Sequence, residues 1–133
     1  MLPILPVVVE SPPRQEGCRV CGVIAHPHGR RTVRLVDAPC MGRPVELVWR
    51  KRTWRCAEPL CPGRSFTEQH EDLARPRALL TRRACWWAIG QIRREHASVA
   101  GLARQLGTTW RTVWSRSNRC SKRWPRTRPG PPM

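Results

Sequence analysis

Two closely spaced pairs of cysteines are the residues of this chain whose types and spacing could do chemistry. Four thiolates from two tight turns are a usual ligand set for one tetrahedral zinc ion in a small domain. Because the protein would supply all four ligands, the ion would keep no open coordination position, and its role would be structural. The pattern therefore predicts one structural Zn²⁺ bound by Cys18, Cys21, Cys56 and Cys61.

The elements that must position these cysteines are strands. Alternating apolar residues predict a strand over residues 32–36, then a turn at residues 41–44. A second extended run covers residues 45–49 and 53–55, with an interruption expected at the basic residues 50–52. Strand, turn and strand between two cysteine pairs are the plan of a zinc ribbon. His26 and His28 follow the first pair and leave a mixed Cys/His site as an alternative.

Beyond the second pair the apolar period changes from that of a strand to that of a helix. We expect a first helix after the capping residue Thr81, with one apolar face made of Cys85, Ala88, Ile89 and Ile92. We expect a second helix after Ser98, with a buried stripe made of Val99, Leu102, Ala103 and Leu106. Gly107 then ends this helix with the positive φ of a sharp turn.

A third helix follows this turn, capped by Thr108 or Thr109 and carrying Val113 on its inner face. A small residue, a glycine turn and an apolar anchor in this order predict a helix-turn-helix, although a generic helical hairpin would show the same stripes. The predicted DNA-binding residues are Thr109, Trp110, Arg111, Thr112 and Ser115 on the third helix, with Arg104, Arg82 and Arg83 as phosphate contacts. For Arg111, a solvated helix arginine is the alternative.

The charge of the chain favours a polyanionic partner. The chain has 25 Lys+Arg and 9 Asp+Glu, a formal net charge of +16. The guanidinium fork of arginine, its main cation, fits phosphate oxygens and guanine edges. With the predicted helix-turn-helix, this charge predicts double-stranded DNA as the partner.

The cysteines and the N-terminus predict a reducing compartment. The apolar residues 1–9 contain two prolines and are too short to span a membrane. We therefore expect a cytoplasmic, nucleoid-associated protein with no membrane partner and no disulfides. A short edge strand over residues 7–9 fits these residues better than a signal peptide. Cys40, Cys85 and Cys120 are expected to be small buried or incidental residues.

No residues form a pattern typical of an active site. Asp37 and Asp72 are the only aspartates, and no carboxylate pair, activated nucleophile or glycine-rich phosphate loop is evident. The sequence therefore predicts a binding protein without catalytic residues.

Residues 17 to about 115 resemble the amino-terminal region of bacterial insertion-sequence transposases of the IS-L-three group. The similar stretches include Cys18-Arg-Val-Cys-Gly22, Asp37-Ala-Pro39, Val48-Trp-Arg-Lys-Arg52, Trp54-Arg-Cys56, Ser65-Phe-Thr-Glu68 and Ser98-Val-Ala-Gly-Leu-Ala103. The resemblance implies a zinc ribbon and a helix-turn-helix that recognise the terminal inverted repeats of a transposon. In this family they precede a nuclease domain with Asp-Asp-Glu carboxylates, which we expect to be missing here, leaving a truncated, non-catalytic fragment.

The expected fold is α+β, a zinc-ribbon β module followed by a three-helix module. The expected division is an N-terminal strand and linker (1–16), a zinc ribbon (17–67), a connector (68–80), a helix-turn-helix (81–116) and a disordered tail (117–133). Because residues after 115 show no helical period and no acidic side chain, we hypothesise a one-base deletion near codon 116 and an out-of-frame tail. A stand-alone zinc-ribbon and helix-turn-helix transcriptional regulator is the alternative function, and an RNA-associated zinc-ribbon protein is a third.

Overall fold

Strands come first and helices second in the computed structural model, which describes residues 3–121. The elements are β1 (Leu5–Val9), β2 (His26–Cys40), β3 (Arg43–Arg55), β4 (Ser65–Thr67), α1 (Arg82–Glu95), α2 (Val99–Leu106) and α3 (Trp110–Ser121). The predicted α+β class is confirmed. None of the helices in the described part of the chain is long and apolar enough to cross a bilayer.

The four strands form one sheet with β3 at its centre. β2 and β4 pair with β3 in the antiparallel direction, and β1 pairs with it in parallel, from Leu5 opposite Val45 to Val9 opposite Trp49. The hairpin between β2 and β3 turns at Met41 and Gly42, whose φ angles are 52° and 72°. Positive φ at both positions suits a two-residue hairpin turn, because it matches the twist of the strands. The N-terminal segment therefore belongs to the sheet that carries the second cysteine pair.

The prediction that residues 50–52 interrupt the second strand is wrong. β3 runs unbroken through them, with Arg50 opposite Thr32 and Arg52 opposite Arg30. The structure supplies partners for all three of these cations, and the guanidinium of Arg52 donates to Ser11 O at 3.1 Å. Arg50 forms an ion pair with Glu10 at 3.1 Å. Lys51 donates to Gln69 Oε1 at 2.9 Å and lies 4.3 Å from the ring centre of Trp49.

The buried apolar residues form two clusters, one on the sheet and one among the helices. The sheet cluster consists of Leu35, Leu47, Trp49 and Ala74, so part of the chain between β4 and α1 packs on the sheet. The helix cluster consists of Leu80, Ala84, Cys85, Ala88, Leu102, Ala103, Leu106 and Val113. The predicted inner residues of α1 and α2 are buried, apart from Ile92 and Val99, which are half-buried.

Side-chain caps start the helices at the predicted residues. Thr81 Oγ1 accepts from the backbone N–H of Ala84 at 3.0 Å, and Ser98 Oγ accepts from that of Gly101 at 3.0 Å. Of the two candidates for α3, Thr109 is the cap, since its hydroxyl accepts from Thr112 N–H at 3.3 Å. These bonds satisfy N–H groups that have no partner inside the helix.

A buried aspartate joins the sheet to the helices. Asp37 on β2 has 2% exposure. Its carboxylate accepts from Thr81 Oγ1 at 2.8 Å, from Ala38 N–H at 2.8 Å and from the guanidinium of Arg83. Burial would raise the pKa of Asp37, but the hydrogen bonds from Arg83, Thr81 and Ala38 hold it below its ordinary value. This cluster fixes the start of α1 against the sheet.

The predicted disorder from residue 117 is wrong for residues 117–121, which complete α3. Val113, Ser117 and Cys120 follow one another at helical spacing, and Ser117 is 4% exposed. This inner face contains a serine and a cysteine, so an apolar periodicity is not visible in the sequence. Residues 122–133 of the predicted tail lie outside the described residues.

Candidate metal centre and nucleic-acid interface

The two cysteine pairs meet at one end of the sheet. Cys18 Sγ lies 3.7 Å from Cys61 Sγ, and Cys21 Sγ lies 3.5 Å from Cys56 Sγ. All four sulfur atoms lie within 4.8 Å of one another. A tetrahedral ion with metal–sulfur bonds of about 2.3 Å requires sulfur atoms about 3.8 Å apart. The four cysteines are therefore placed to bind one metal ion. Within residues 3–121, no other group of three or more histidine, cysteine or acidic side chains lies close enough together to bind one.

Backbone geometry prepares the first pair for this role. Cys18 N–H donates to Val23 O at 2.7 Å and Gly22 N–H donates to Cys18 O at 2.8 Å, closing a tight turn. Gly22 has φ +79°, which favours glycine. Val20 N–H points at Cys18 Sγ at 3.4 Å.

Hydrogen bonds and burial shift the pKa values of Cys18 and Cys61 in opposite directions. Backbone hydrogen bonds from Cys21 and Val20 lower the pKa of Cys18 to about 6. Burial and the neighbouring thiols Cys21 and Cys18 raise the pKa of Cys61. The first thiolate thus forms easily, and further ones are opposed by its negative charge. A bound dication removes this opposition, because thiolate is the form that binds metal.

The turn between α2 and α3 brings these helices close to the sheet. Gly107 has φ +70°, and its N–H lies near the carbonyl oxygens of Ala103 and Arg104. A Cβ at Gly107 would lie 3.0 Å from Pro44 Cβ, so the position needs glycine for space as well as for φ. Val113 of α3 is fully buried in the helix cluster. The small residue (Ala103), the glycine turn (Gly107) and the apolar anchor (Val113) that the sequence predicts for a helix-turn-helix are therefore all present.

Residues 68–121 match the family model described as the helix-turn-helix domain of transposase family ISL3. This part of the chain is an ISL3-family transposase helix-turn-helix region. The match supports DNA binding by this region, and in a helix-turn-helix the helix after the turn, here α3, is the one called the recognition helix. Comparison with curated proteins and with solved structures gives no significant match. The family match continues to residue 121, so the predicted end of the resemblance at about residue 115 is too early.

The outer face of the recognition helix carries the predicted contact residues. Thr109, Trp110, Arg111 and Ser115 are exposed, and Thr112 is half-buried. Three hydroxyls are engaged within the helix: Thr109 Oγ1 caps it and shares a hydrogen bond with Thr112 Oγ1 at 3.0 Å, and Ser115 Oγ donates to Thr112 O at 3.3 Å. Arg111 forms no ion pair with any described residue. The helix therefore presents a guanidinium in its first turn.

Two tryptophans flank this arginine on the outside of α3. Trp110 is 60% exposed and Trp114 is 55% exposed. One helical turn separates them, so they share a side of the helix. The sequence led us to place Trp110 among the contacts but not Trp114. Its exposure could not be read from the sequence, because a tryptophan next to Val113 could also pack inside.

The three predicted phosphate contacts differ in their surroundings. Arg104 is exposed on α2. Arg82 donates through Nε to Glu71 O and lies at the start of α1. Arg83 is held by the carboxylate of Asp37. The guanidinium of Arg83 therefore has a structural partner, and that of Arg104 extends from the domain.

The segment that contains α2 and α3 carries positive charge only. Residues 96–121 contain four arginines and no aspartate or glutamate. No acidic residue lies in the first turn of α2 or α3. Phosphate groups near α2 and α3 would meet cations and helix N-termini, and these helices supply no competing carboxylate.

A second buried carboxylate supports the sheet, and sequence reasoning missed its role. Glu68 accepts from Ser11 Oγ at 2.5 Å and from Arg52 N–H at 2.7 Å. His70 Nε2 lies 3.3 Å from the same carboxylate. Burial would raise the pKa of Glu68, but these hydrogen bonds lower it. His70 is a local partner, two residues along the chain, but Ser11 and Arg52 are distant in sequence, so no local spacing could reveal them.

Proposed function

We propose that this chain binds the terminal inverted repeats of a transposon as duplex DNA, with α3 in the major groove. The observation that carries the proposal is the exposed outer face of α3, with Arg111 in its first turn, within an ISL3-family helix-turn-helix domain. In such domains the N-terminal residues of the recognition helix contact base edges. Recognition of the element's own ends would give this domain the specificity that transposition requires.

In this proposal, Arg111 reads a base and its neighbours shape the contact. A guanidinium can donate two parallel hydrogen bonds to guanine O6 and N7 in the major groove. The indoles of Trp110 and Trp114 offer apolar surface that fits thymine methyl groups. Thr112 directly follows Arg111 and lies half-buried at the edge of this contact surface. The hydroxyls of Thr109, Thr112 and Ser115 bond within the helix, so these residues contribute mainly by holding it.

Phosphate contacts on either side would fix the register of the helix on the duplex. Arg104 on α2 is the best placed of the predicted arginines, since it is exposed in the helix that precedes the turn. Arg82 can add a contact from the start of α1. Arg83 acts mainly through Asp37, so its effect on DNA would be indirect. Such contacts carry affinity and salt dependence and little sequence preference.

We also propose that the metal is one structural Zn²⁺. Cys18, Cys21, Cys56 and Cys61 are soft ligands in a number and spacing that suit zinc, and a four-thiolate site keeps no position for substrate. When bound, the ion would tie the turn after β1 to the end of β3. A reducing cytoplasm, with the protein on nucleoid DNA, is the compartment in which these thiolates and their target coexist.

Fluorescence anisotropy with labelled duplexes tests the DNA proposal. The repeat ends of the element that encodes the chain are compared with a shuffled duplex of equal length and composition, at fixed salt. We expect the repeat to bind at least about fivefold more tightly, the lower limit for one base-specific contact. Equal affinity for both duplexes would contradict repeat recognition. Preferential binding of structured RNA over both would favour the RNA-associated alternative.

A further inference from the structure

A cavity lies between the start of α1, the segment that precedes it and the C-terminal half of α3. Its volume is about 290 Å³. The lining contains four arginines and no carboxylate: Arg75, Arg82, Arg116 and Arg119. The wall is completed by Trp86, the thiols of Cys85 and Cys120, and apolar side chains of residues 76–80. This lining is separate from the metal centre and from the outward face of α3 around Arg111.

The four guanidinium groups are concentrated without a balancing acid. None of the four is within ion-pair distance of a carboxylate in residues 3–121. Arg82 is positioned by its bond to Glu71 O, a neutral acceptor. Like charges gathered on one cavity repel one another, so an anion in the cavity would be stabilised by all of them.

The positive charge also reaches the Cys85 thiol in the wall of the cavity. A hydrogen bond with Cys120 raises the pKa of Cys85, and burial raises it further. The charges of Arg116 and Arg75 act in the opposite direction. Arg75 precedes α1 and Arg116 lies on α3, so charges from two separate parts of the chain act on the Cys85 thiol.

We propose that this cavity binds a phosphate group. A carboxylate has two oxygens and is satisfied by one guanidinium fork, whereas a phosphate offers more oxygens and suits several forks at once. Small-ligand pockets begin at about 300 Å³, so the cavity has room for a phosphate with its attached sugar. Trp86 on the wall supplies a flat apolar surface for that attached part. The proposal goes beyond base reading by α3 and can hold or fail without it.

Titration with inorganic phosphate, followed by NMR on the full-length chain with its metal bound, tests the site. We expect the arginine side-chain signals of the cavity and the Trp86 indole N–H signal to shift, beyond the shifts caused by chloride or acetate at the same ionic strength. Arg116→Gln with Arg119→Gln is expected to weaken the binding by about fivefold or more, since each charged contact is partly exposed. Arg75→Gln, which leaves both helices untouched, is expected to weaken it in the same direction.

Matched variants separate this proposal from general charge effects and from base reading. Arg93→Gln with Arg94→Gln removes the same charge from the exposed end of α1 and is expected to leave phosphate binding unchanged. Arg111→Ala removes the proposed base contact and is also expected to leave it unchanged. The absence of cavity shifts, equal binding of acetate, or equal weakening by the Arg93 and Arg94 control would overturn the proposal.

A duplex of shuffled sequence identifies the source of the phosphate. If the DNA backbone occupies the cavity, the duplex shifts the same signals, and the Arg116 and Arg119 variant lowers the salt slope of duplex binding by about 1 per lost contact. If a free phosphate or nucleotide is the ligand, the duplex leaves these signals in place and the salt slope is unchanged. Either outcome, together with the phosphate titration, supports a phosphate site.

Discussion

Removing the carboxylate of Asp37 should loosen the contact between the sheet and α1. Thr81, with 0% exposure, would keep a buried O–H without its acceptor, and Ala38 would lose the acceptor of its N–H. Each such loss costs about 1–2 kcal/mol. The side chain of Arg83 is 71% exposed and would be rehydrated, so its share is at most about 1 kcal/mol. Asp37→Ala should therefore lower the free energy of unfolding by about 3 kcal/mol.

Asp37→Asn separates the hydrogen bonds from the charge. The amide keeps an oxygen acceptor for Thr81 and Ala38 and loses only the ion pair with Arg83, so we expect a cost of about 1 kcal/mol. Because the pKa of Asp37 is lowered in the fold, its contribution is fully present above the unfolded pKa of about 3.9 and is lost only as the pH falls through the folded pKa. The difference between Asp37→Asn and wild type should therefore be constant between about pH 6 and pH 8.

Urea unfolding of the zinc-saturated chain, followed by tryptophan fluorescence, measures these differences. Asp72→Ala is the matched control, because it removes the other aspartate from an exposed position and should change stability by less than about 0.5 kcal/mol. If Asp37→Ala were no more destabilising than Asp72→Ala, the buried carboxylate would not be what holds α1 on the sheet.

Two further changes test the metal centre and the turn. Cys56→Ser should abolish the binding of one zinc per chain, because it lowers the zinc affinity by more than about 100-fold. Cys40→Ser is the control and should keep its zinc, as measured by zinc content after dialysis. Retention of zinc by Cys56→Ser would disprove the four-thiolate site. Gly107→Ala should destabilise the fold by about 1–3 kcal/mol, because alanine is strained at φ +70° and its Cβ would crowd Pro44. Gly90→Ala, in α1 with no atom near its added Cβ, should instead stabilise the chain by about 0.5–1 kcal/mol in the same thermal unfolding assay. A neutral effect of Gly107→Ala would count against the close approach of α2 and β3.

The features that could be predicted from the sequence are those that depend on neighbouring residues. Thr81, Ser98 and Thr109 cap helices through bonds to residues three positions later, so their spacing is visible in the chain. The buried stripes of α1 and α2 follow from helical periodicity. The two cysteine pairs were predictable for the same reason, because each pair comes from one turn.

The features that were missed depend on partners far along the chain. Asp37 reaches Arg83 across 46 positions, and Glu68 reaches Ser11 across 57. The continuity of β3 through its basic residues depends on Glu10 and Gln69, which no local pattern connects to them. The end of α3 was missed because its inner face contains Ser117 and Cys120 in place of larger apolar residues. Tertiary contacts thus determine strand continuity, helix ends and the partners of buried carboxylates, which local composition does not specify.

The most direct test of DNA reading by α3 is the specificity ratio of Arg111→Ala. This ratio is the affinity for the repeat duplex divided by that for the shuffled duplex, measured for wild type and variant at one salt concentration. If Arg111 reads a base, the variant should lose about fivefold or more on the repeat and little on the shuffled duplex, so the ratio falls. An equal loss on both duplexes would show a phosphate contact only, and would contradict the assignment of Arg111 as the base-reading residue.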